Sequence, residues 1–128
     1  MKQNECFCGG VPPGAPVREC CGPALEAEQW PRTAEALMRS RYSAFVTNNE
    51  DHLFRTWHPR FRPAHFGIDP NTVWTGLTIL NVEAGQEQDS VGVVEFEASY
   101  TEDGREQVLR ERSRFSKRAG RWMYEEAF

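Results

Sequence analysis

The chain has 128 residues, of which 39% are hydrophobic and 12% aromatic, enough for one compact domain with its own core. Its net charge of −4 argues against a general nucleic-acid-binding protein, because such proteins usually carry an excess of basic residues. No apolar stretch approaches the roughly 20 residues of a membrane-spanning helix, and the N-terminal MKQNECFC contains no apolar signal segment. We therefore expect a cytoplasmic protein that does not bind membranes.

All four cysteines lie near the N-terminus, at Cys6, Cys8, Cys20 and Cys21. Two close pairs separated by a Gly/Pro-rich loop are typical of a structural zinc site, in which each pair supplies two thiolates. The cytoplasm keeps thiols reduced, which disfavours the alternative of disulfides. Unliganded thiols are the other alternative, and a catalytic zinc is disfavoured because four thiolates leave no open coordination position. The pattern favours one structural zinc per chain, held by an arm of residues 1–24.

A connector at residues 25–32 leads into two predicted helices. Thr33 is suited to be the N-cap of the first, AEALMRSRYSAFVTNN. The pair Asn48-Asn49 ends that helix and can cap the second, EDHLFRTW. Residues 58–72 contain three prolines and are predicted to be irregular.

Four segments of period-two hydrophobicity follow and predict strands: TGLTILNVE, SVGVVEFEASY, EQVLRERSRF and RWMYEEAF. Asp103-Gly104 is a typical two-residue hairpin turn. Helices followed by an antiparallel meander predict an α+β domain over residues 33–128, with helices packed on one face of the sheet. Since this domain contains all the long elements, we expect the arm to be separable from it.

The hairpin turn fixes which strand residues face each other. It places Glu97 opposite Arg110 and Glu95 opposite Arg112, so one face is predicted to be a neutralised charge ladder exposed to solvent. The other face is apolar and aromatic except for Glu111. If Ala119-Gly120 closes the last hairpin, Phe115 faces Tyr124, and Glu126 shares the inner side with Glu111.

The two motifs of the chain resemble known families. C-x-C-G followed by C-C-G-P resembles the SEC-C motif, a short zinc-binding element, although eleven residues separate the cysteine pairs here where the family usually has eight. TAEALMRSRYSAFV and RTWHP resemble the YchJ-like family of bacterial proteins. That resemblance implies a domain of the nuclear-transport-factor-2-like (NTF2-like) type, a curved antiparallel sheet wrapped with helices into a cone, preceded by a small zinc knuckle.

Charged side chains on inward faces are candidates for a site in the cone. Helical periodicity places Arg41 in the apolar arc of the first helix and Arg39 on the side facing water. A core-side arginine needs a partner, so we expect Arg41 to meet Glu111 directly or through a shared polar cluster; alternatively, Arg41 meets an anionic ligand.

The histidines give a weaker signal. His58 is expected to cap the end of the second helix more readily than to act as a base. His52 and His65 are expected on the surface or in loops.

Two functions remain open. The first is a non-enzymatic adaptor whose zinc arm binds a protein partner, as the SEC-C resemblance implies; we favour it because no acid–base constellation is recognisable. The alternative is a small-molecule binder or enzyme that uses the cone cavity, with Arg41, Tyr42, His58 and Glu111 as its polar groups. The surroundings of Glu111 discriminate, since an open aromatic cavity supports a ligand and a filled core excludes one.

Overall fold

The computed structural model describes residues 5–64, 69 and 71–128, and confirms the α+β fold. A 3₁₀ turn at Val17–Glu19 precedes the helices, which are α1 Gly22–Leu25, α2 Ala34–Val46 and α3 Glu50–Thr56. The strands are β1 Thr72–Ala84, β2 Val91–Glu102, β3 Arg105–Arg118 and β4 Arg121–Ala127. The prediction for His65 lies outside the described residues. No helix in the described part of the chain has the length and hydropathy needed to cross a membrane.

Both predicted helix caps are confirmed. The Thr33 hydroxyl accepts a hydrogen bond from the Ala36 backbone N–H at 3.0 Å. The Asn49 side chain accepts one from the His52 backbone N–H at 3.0 Å, which starts α3 directly after the end of α2. These side chains satisfy N–H groups that the first turn of a helix leaves unpaired.

The sheet is an antiparallel meander in the order β1-β2-β3-β4. The predicted register across Asp103-Gly104 is confirmed, with Glu97 opposite Arg110 and Glu95 opposite Arg112. Strand β1 is longer than predicted and contains two register irregularities. Such bulges bend a strand, which gives the sheet its curved, inward-facing side.

The outer face of the sheet carries the predicted charge ladder. Arg110 forms an ion pair with Glu95 at 3.0 Å, and Arg112 forms one with Glu83 on β1 at 2.7 Å. Exposed pairs of this kind contribute only about 0–1 kcal/mol each. The ladder therefore neutralises the face more than it stabilises the fold.

A bulge in the last hairpin changes one predicted position. Phe115 faces Tyr124 as expected, but the register shifts between Arg114 and Phe115, so Arg114 faces Glu126. Glu126 accepts a hydrogen bond from Arg114 on the charged outer face. The prediction that Glu126 lies on the inner face was wrong, because one extra residue reverses the side on which the following side chains point.

The core lies between α2 and the inner face of the sheet and extends into the N-terminal arm. Leu37, Phe115 and Trp122 are fully buried there, and Cys6, Cys8 and Cys21 belong to the same cluster. The connector is fixed by two tryptophans. The Trp30 indole N–H donates to the Trp122 carbonyl at 2.9 Å, and that of Trp122 donates to the Arg32 carbonyl at 3.0 Å.

Candidate metal centre and candidate ligand cavity

The four cysteines form one compact sulfur cluster. All four Sγ atoms lie within 4.8 Å of one another. The Sγ of Cys8 is 3.6 Å from that of Cys20, 3.7 Å from that of Cys21 and 3.8 Å from that of Cys6. A tetrahedral site with metal–sulfur bonds of about 2.3 Å has sulfur–sulfur edges of about 3.8 Å. The cluster thus fits a four-coordinate metal, despite the longer loop between the cysteine pairs.

Two glycines form the turn that brings the cysteine pairs together. Gly9 and Gly10 have φ of 96° and 87°, a region that side chains disfavour. A Cβ on Gly10 would also lie 2.5 Å from the backbone nitrogen of Ala15. The Cys6 N–H donates to the Ala15 carbonyl at 2.8 Å, which closes the loop behind the sulfurs.

Because the thiols are packed closely together, their pKa values move in opposite directions. The pKa of Cys6 is lowered by hydrogen bonds from the Cys21 and Cys8 thiols. Burial and the neighbouring Cys8 raise the pKa of Cys20 to about 12, and hydrogen bonds to Cys6 and Cys8 raise that of Cys21. The sulfurs therefore oppose full ionisation of the cluster, and a divalent cation would remove that opposition.

The arm is held on α2 by Arg39. Its Nη1 donates to the Cys8 carbonyl at 2.9 Å, while its Nε donates to Glu35 at 2.8 Å. The Sγ of Cys6 also lies 3.9 Å from the Ser43 hydroxyl. The prediction that Arg39 faces water was wrong, because the arm covers that side of the helix. The i, i+4 pair of Glu35 and Arg39 was the one sequence signal for this position.

A second candidate site is a cavity of about 330 Å³ between α2 and the curved face of the sheet. Of the predicted cavity residues, Arg41, Tyr42 and Glu111 line it, and His58 does not. Its walls are largely aromatic, from Tyr42, Phe45, Trp57, Trp74, Phe96 and Tyr124. The surroundings of Glu111 are therefore an aromatic cavity and not a filled core.

Arg41 is buried at the cavity, with 3% of its surface exposed. Its Nη1 donates to the Leu53 carbonyl at 3.1 Å and to the Thr56 hydroxyl at 2.8 Å. The guanidinium lies over the rings of Tyr124 and Trp57, 4.3 and 4.9 Å from their centroids. Burial lowers its pKa to about 9, so it remains charged at neutral pH.

Of the two forms of the prediction for Arg41 and Glu111, the direct pair was wrong, and contact through a shared polar cluster stays a prediction. Among the described residues, no carboxylate forms an ion pair with Arg41, because α3 supplies its hydrogen-bond acceptors. Glu111 is half-buried; burial raises its pKa, and the Ser113 hydroxyl donates to it at 3.5 Å. The pKa of Tyr124 is raised by burial and by Glu111 and lowered by Arg41, so its phenol lies within the field of both charges. The cavity thus has a cationic part and a carboxyl part.

His58 belongs to the turn after α3. Its backbone N–H donates to the Tyr124 carbonyl at 2.8 Å, and its Nδ1 accepts from the Arg60 N–H at 3.1 Å. The Nδ1 atom is therefore occupied by the turn that follows α3, and the capping role of His58 stays a prediction.

The prediction for His52 was wrong, since only 1% of its surface is exposed. Its Nε2 lies 2.9 Å from the Ser40 hydroxyl, and its Nδ1 lies 3.1 Å from Nη2 of Arg55. The same Arg55 nitrogen donates to the Leu25 carbonyl at 3.1 Å. The short helix α1 therefore covers His52 through Arg55, a contact between distant segments that local sequence does not reveal.

Both the N-terminal arm and the α+β domain resemble parts of known proteins. Residues 33–127 match the family described as "YchJ, middle NTF2-like domain". A UPF0225 protein of Streptomyces coelicolor is 45% identical over 124 residues, which cover 97% of this chain and 94% of that protein. A UPF0225 protein of Chromobacterium violaceum is also 45% identical, over 93% of this chain and 88% of its own.

Two solved structures have the same fold, including the arm. The solution structure of a SEC-C motif containing protein from Rhodopseudomonas palustris superposes with a TM-score of 0.84 at 34% identity, over 97% of both chains. The crystal structure of a SEC-C motif containing protein from Psychrobacter arcticus gives a TM-score of 0.78 at 23% identity, over 98% of this chain and 82% of that one. With a cysteine cluster packed on an NTF2-like α+β domain, and relatives that match nearly end to end, the chain belongs to the YchJ-like family.

Proposed function

We propose that the protein binds a small organic molecule in the cavity between α2 and the sheet, and that its four cysteines hold a structural zinc. The observation that supports ligand binding is the cavity itself, which has aromatic walls, a buried arginine and a half-buried carboxyl group. Apolar pockets with a few convergent polar groups are the usual form of small-molecule sites.

Filling the cavity tests this function. Ala98 lines it and is 2% exposed, so Ala98→Leu should occupy part of the space. Ala127 is exposed at the end of β4 and supplies the matched control, Ala127→Leu. Native mass spectrometry of protein from the producing cell should show a bound small molecule in the parent and the control, and a reduced bound fraction in Ala98→Leu. A parent chain that carries no small molecule and binds no member of a fragment library would contradict the proposal.

The zinc proposal rests on the sulfur–sulfur distances and on four reduced cysteines. We place the protein in the cytoplasm, where thiols stay reduced. Four thiolates would give the metal no open position, so its role is to neutralise the sulfurs and cross-link the arm. Elemental analysis of protein purified without chelator, or reconstituted with zinc, should give about one zinc per chain. Cys20→Ser should reduce that value, and a metal-free chain with an ordered arm would contradict the site.

A second candidate function is that of an adaptor that binds a protein partner through the arm. A groove of about 380 Å³ between the arm and α2 supports it, with Val11, Trp30 and Arg39 among its lining residues. Val11 is 52% exposed, and Val108 on the sheet is 63% exposed. A photo-crosslinking residue at Val11 should capture a defined partner in the producing cell, and the same residue at Val108 should not. Equal capture at both positions would contradict a partner site at the groove.

A further inference from the structure

We infer that the ligand of the cavity is a small carboxylate with a flat apolar body, whose anionic group binds at Arg41. This inference rests on the proposed ligand-binding function and names the chemistry of the ligand. It follows from three properties of the cavity: an unneutralised cation, aromatic walls and a carboxyl group on another element.

The cation is placed to receive an anion. Arg41 is nearly fully buried, lines the cavity and has no ion-pair partner among the described residues. Only its Nη1 is used in hydrogen bonds to the described residues, namely to Leu53 and Thr56, which leaves Nε and Nη2 without a partner in that part of the chain. Those two nitrogens form the side of the guanidinium that pairs with a planar carboxylate through two parallel hydrogen bonds.

The walls select the body of the ligand. Trp74 is held by ring contacts to Tyr42, Phe45 and Tyr100, with centroid distances of 6.2, 5.9 and 5.1 Å. Trp57 and Tyr124 form a second edge-to-face pair at 5.2 Å. Aromatic rings fixed in this way offer flat faces to a planar apolar molecule. The volume of about 330 Å³ is near the lower end of the about 300–1,000 Å³ of typical ligand sites, so the molecule is small.

Glu111 sets the orientation. It reaches the cavity from β3, whereas Arg41 reaches it from α2, and neither forms an ion pair with the other. A ligand anion is repelled by the carboxyl group and attracted by the guanidinium, so it occupies the Arg41 part. A hydrogen-bond donor elsewhere on the ligand would then be available to pair with Glu111.

Three matched probes test the charge preference: indole-3-acetate, its neutral amide indole-3-acetamide, and the cation tryptamine. Each has the same flat ring with one N–H donor, and they differ in the charge of the side chain. Titrations of the zinc-loaded full chain, followed through the indole N–H signals of Trp57 and Trp74, give the dissociation constants. We expect the carboxylate to bind at least about tenfold more tightly than the amide, and tryptamine to bind weakest.

Variants assign that preference to one side chain. Arg41→Met should bring the carboxylate-to-amide ratio close to one, Arg41→Lys should keep part of it, and Arg110→Met on the exposed sheet face should leave it unchanged. If the parent binds amide and carboxylate equally, or tryptamine best, the carboxylate inference is overturned while the ligand-binding function stands. If none of the probes binds, and a broader fragment library also fails, the ligand-binding function is overturned with it. The comparison of probes on the parent chain keeps the test decisive even if Arg41→Met does not fold.

Discussion

The guanidinium of Arg41 is held by α3 and by aromatic rings, and by no carboxylate of the residues that the structure describes. Its hydrogen bonds to a carbonyl and a hydroxyl lower the cost of burying the charge but do not neutralise it. The rings of Tyr124 and Trp57 add cation–π attraction, which is about 2 kcal/mol or more per contact in desolvated sites. Arg41 therefore remains a net positive charge inside the domain.

Removal of one acceptor should test this arrangement. Thr56→Val deletes the hydroxyl that accepts from Arg41 at 2.8 Å, so a charged N–H loses a buried partner. We expect the free energy of unfolding, measured in urea, to fall by about 1–3 kcal/mol. Thr75→Val on the exposed side of β1 is the control. A loss in Thr56→Val no larger than that in the control would contradict the structural role of the contact.

His52 should make stability depend on pH. Burial, together with the charges of Arg55 and Arg41, lowers its pKa from 6.5 to about 3. The unfolded chain therefore binds a proton at His52 below about pH 6.5 that the folded chain does not bind. The contribution to stability is complete above pH 6.5 and is lost as pH falls towards 3, at up to about 1.4 kcal/mol per pH unit.

The comparison with His52→Gln isolates this effect, because the amide can still donate to Ser40 but does not titrate. Between pH 7.5 and 4.5 the unfolding free energy of the parent should fall more steeply than that of the variant. Acid effects on the cysteine cluster are common to both proteins and cancel in the difference. Parallel pH profiles would show that His52 is accessible to protons in the folded state.

The burial of an individual residue could be predicted where it depends only on the helix or strand that contains the residue. The helical period placed Arg41 on the apolar side of α2, and the structure buries it there. The positions of His52 and Arg39 depend on segments far along the chain, α1 and the arm. Helical periodicity therefore placed Arg39 in solvent, and His52 was wrongly expected on the surface or in a loop. The contact of Arg41 with Thr56 was missed for the same reason, since it joins α2 to α3.

At the level of elements, the loop between Cys8 and Ala15 contains two adjacent glycines, Gly9 and Gly10, that can serve as control and test positions for substitution. Both Gly9 and Gly10 have positive φ, but only at Gly10 would a Cβ clash, with backbone atoms of Ala15. Gly9→Ala should therefore cost only the backbone strain, on the order of 1 kcal/mol. Gly10→Ala must also displace the loop that carries the cysteines.

We expect Gly10→Ala to weaken zinc binding by at least tenfold more than Gly9→Ala, measured by competition with a chromophoric chelator; this corresponds to about 1.4 kcal/mol. The comparison controls for positive φ, which both positions share. Equal zinc affinities in the two variants would mean that the loop adapts to the added methyl group without moving the ligands.

The elements of the sheet were predictable because their determinants are local. Asp103 and Gly104 have φ of 52° and 79°, the conformation that a two-residue hairpin turn requires, and they set the register of β2 against β3. The bulge that turns Glu126 outward has no comparable signal, because no glycine marks it in RWMYEEAF. The cavity was predictable only through the family resemblance, since its volume depends on how α2 rests on the curved sheet.

For the molecule as a whole, the arm and the domain share one core, and the separability of residues 1–24 stays a prediction. Chelation of the metal should remove amide protection from residues 5–25 and from the side of α2 that Arg39 and Ser43 present to the arm. Protection in β2 and β3 should remain, because their pairing does not involve the arm. Hydrogen exchange with and without chelator measures both regions.

Cys20→Ser provides the same loss of metal without chelator and controls for effects of the reagent. Loss of protection throughout the sheet would show that the metal supports the whole fold. Unchanged protection in the arm would show that packing alone holds it in place.

The meander has a consequence for the order of folding. Every strand pairs with its neighbour in sequence, and all four sulfurs come from the first 21 residues, so both parts form from contacts between nearby residues. Closing such short loops costs little chain entropy and is fast. The contacts that join the two parts, such as that of Trp30 with Trp122, connect distant positions and carry the larger loop-closure cost. A refolding chain should therefore close its cysteine loop and form its hairpins independently, and the slow step should be the packing of the connector at Trp30 against β4.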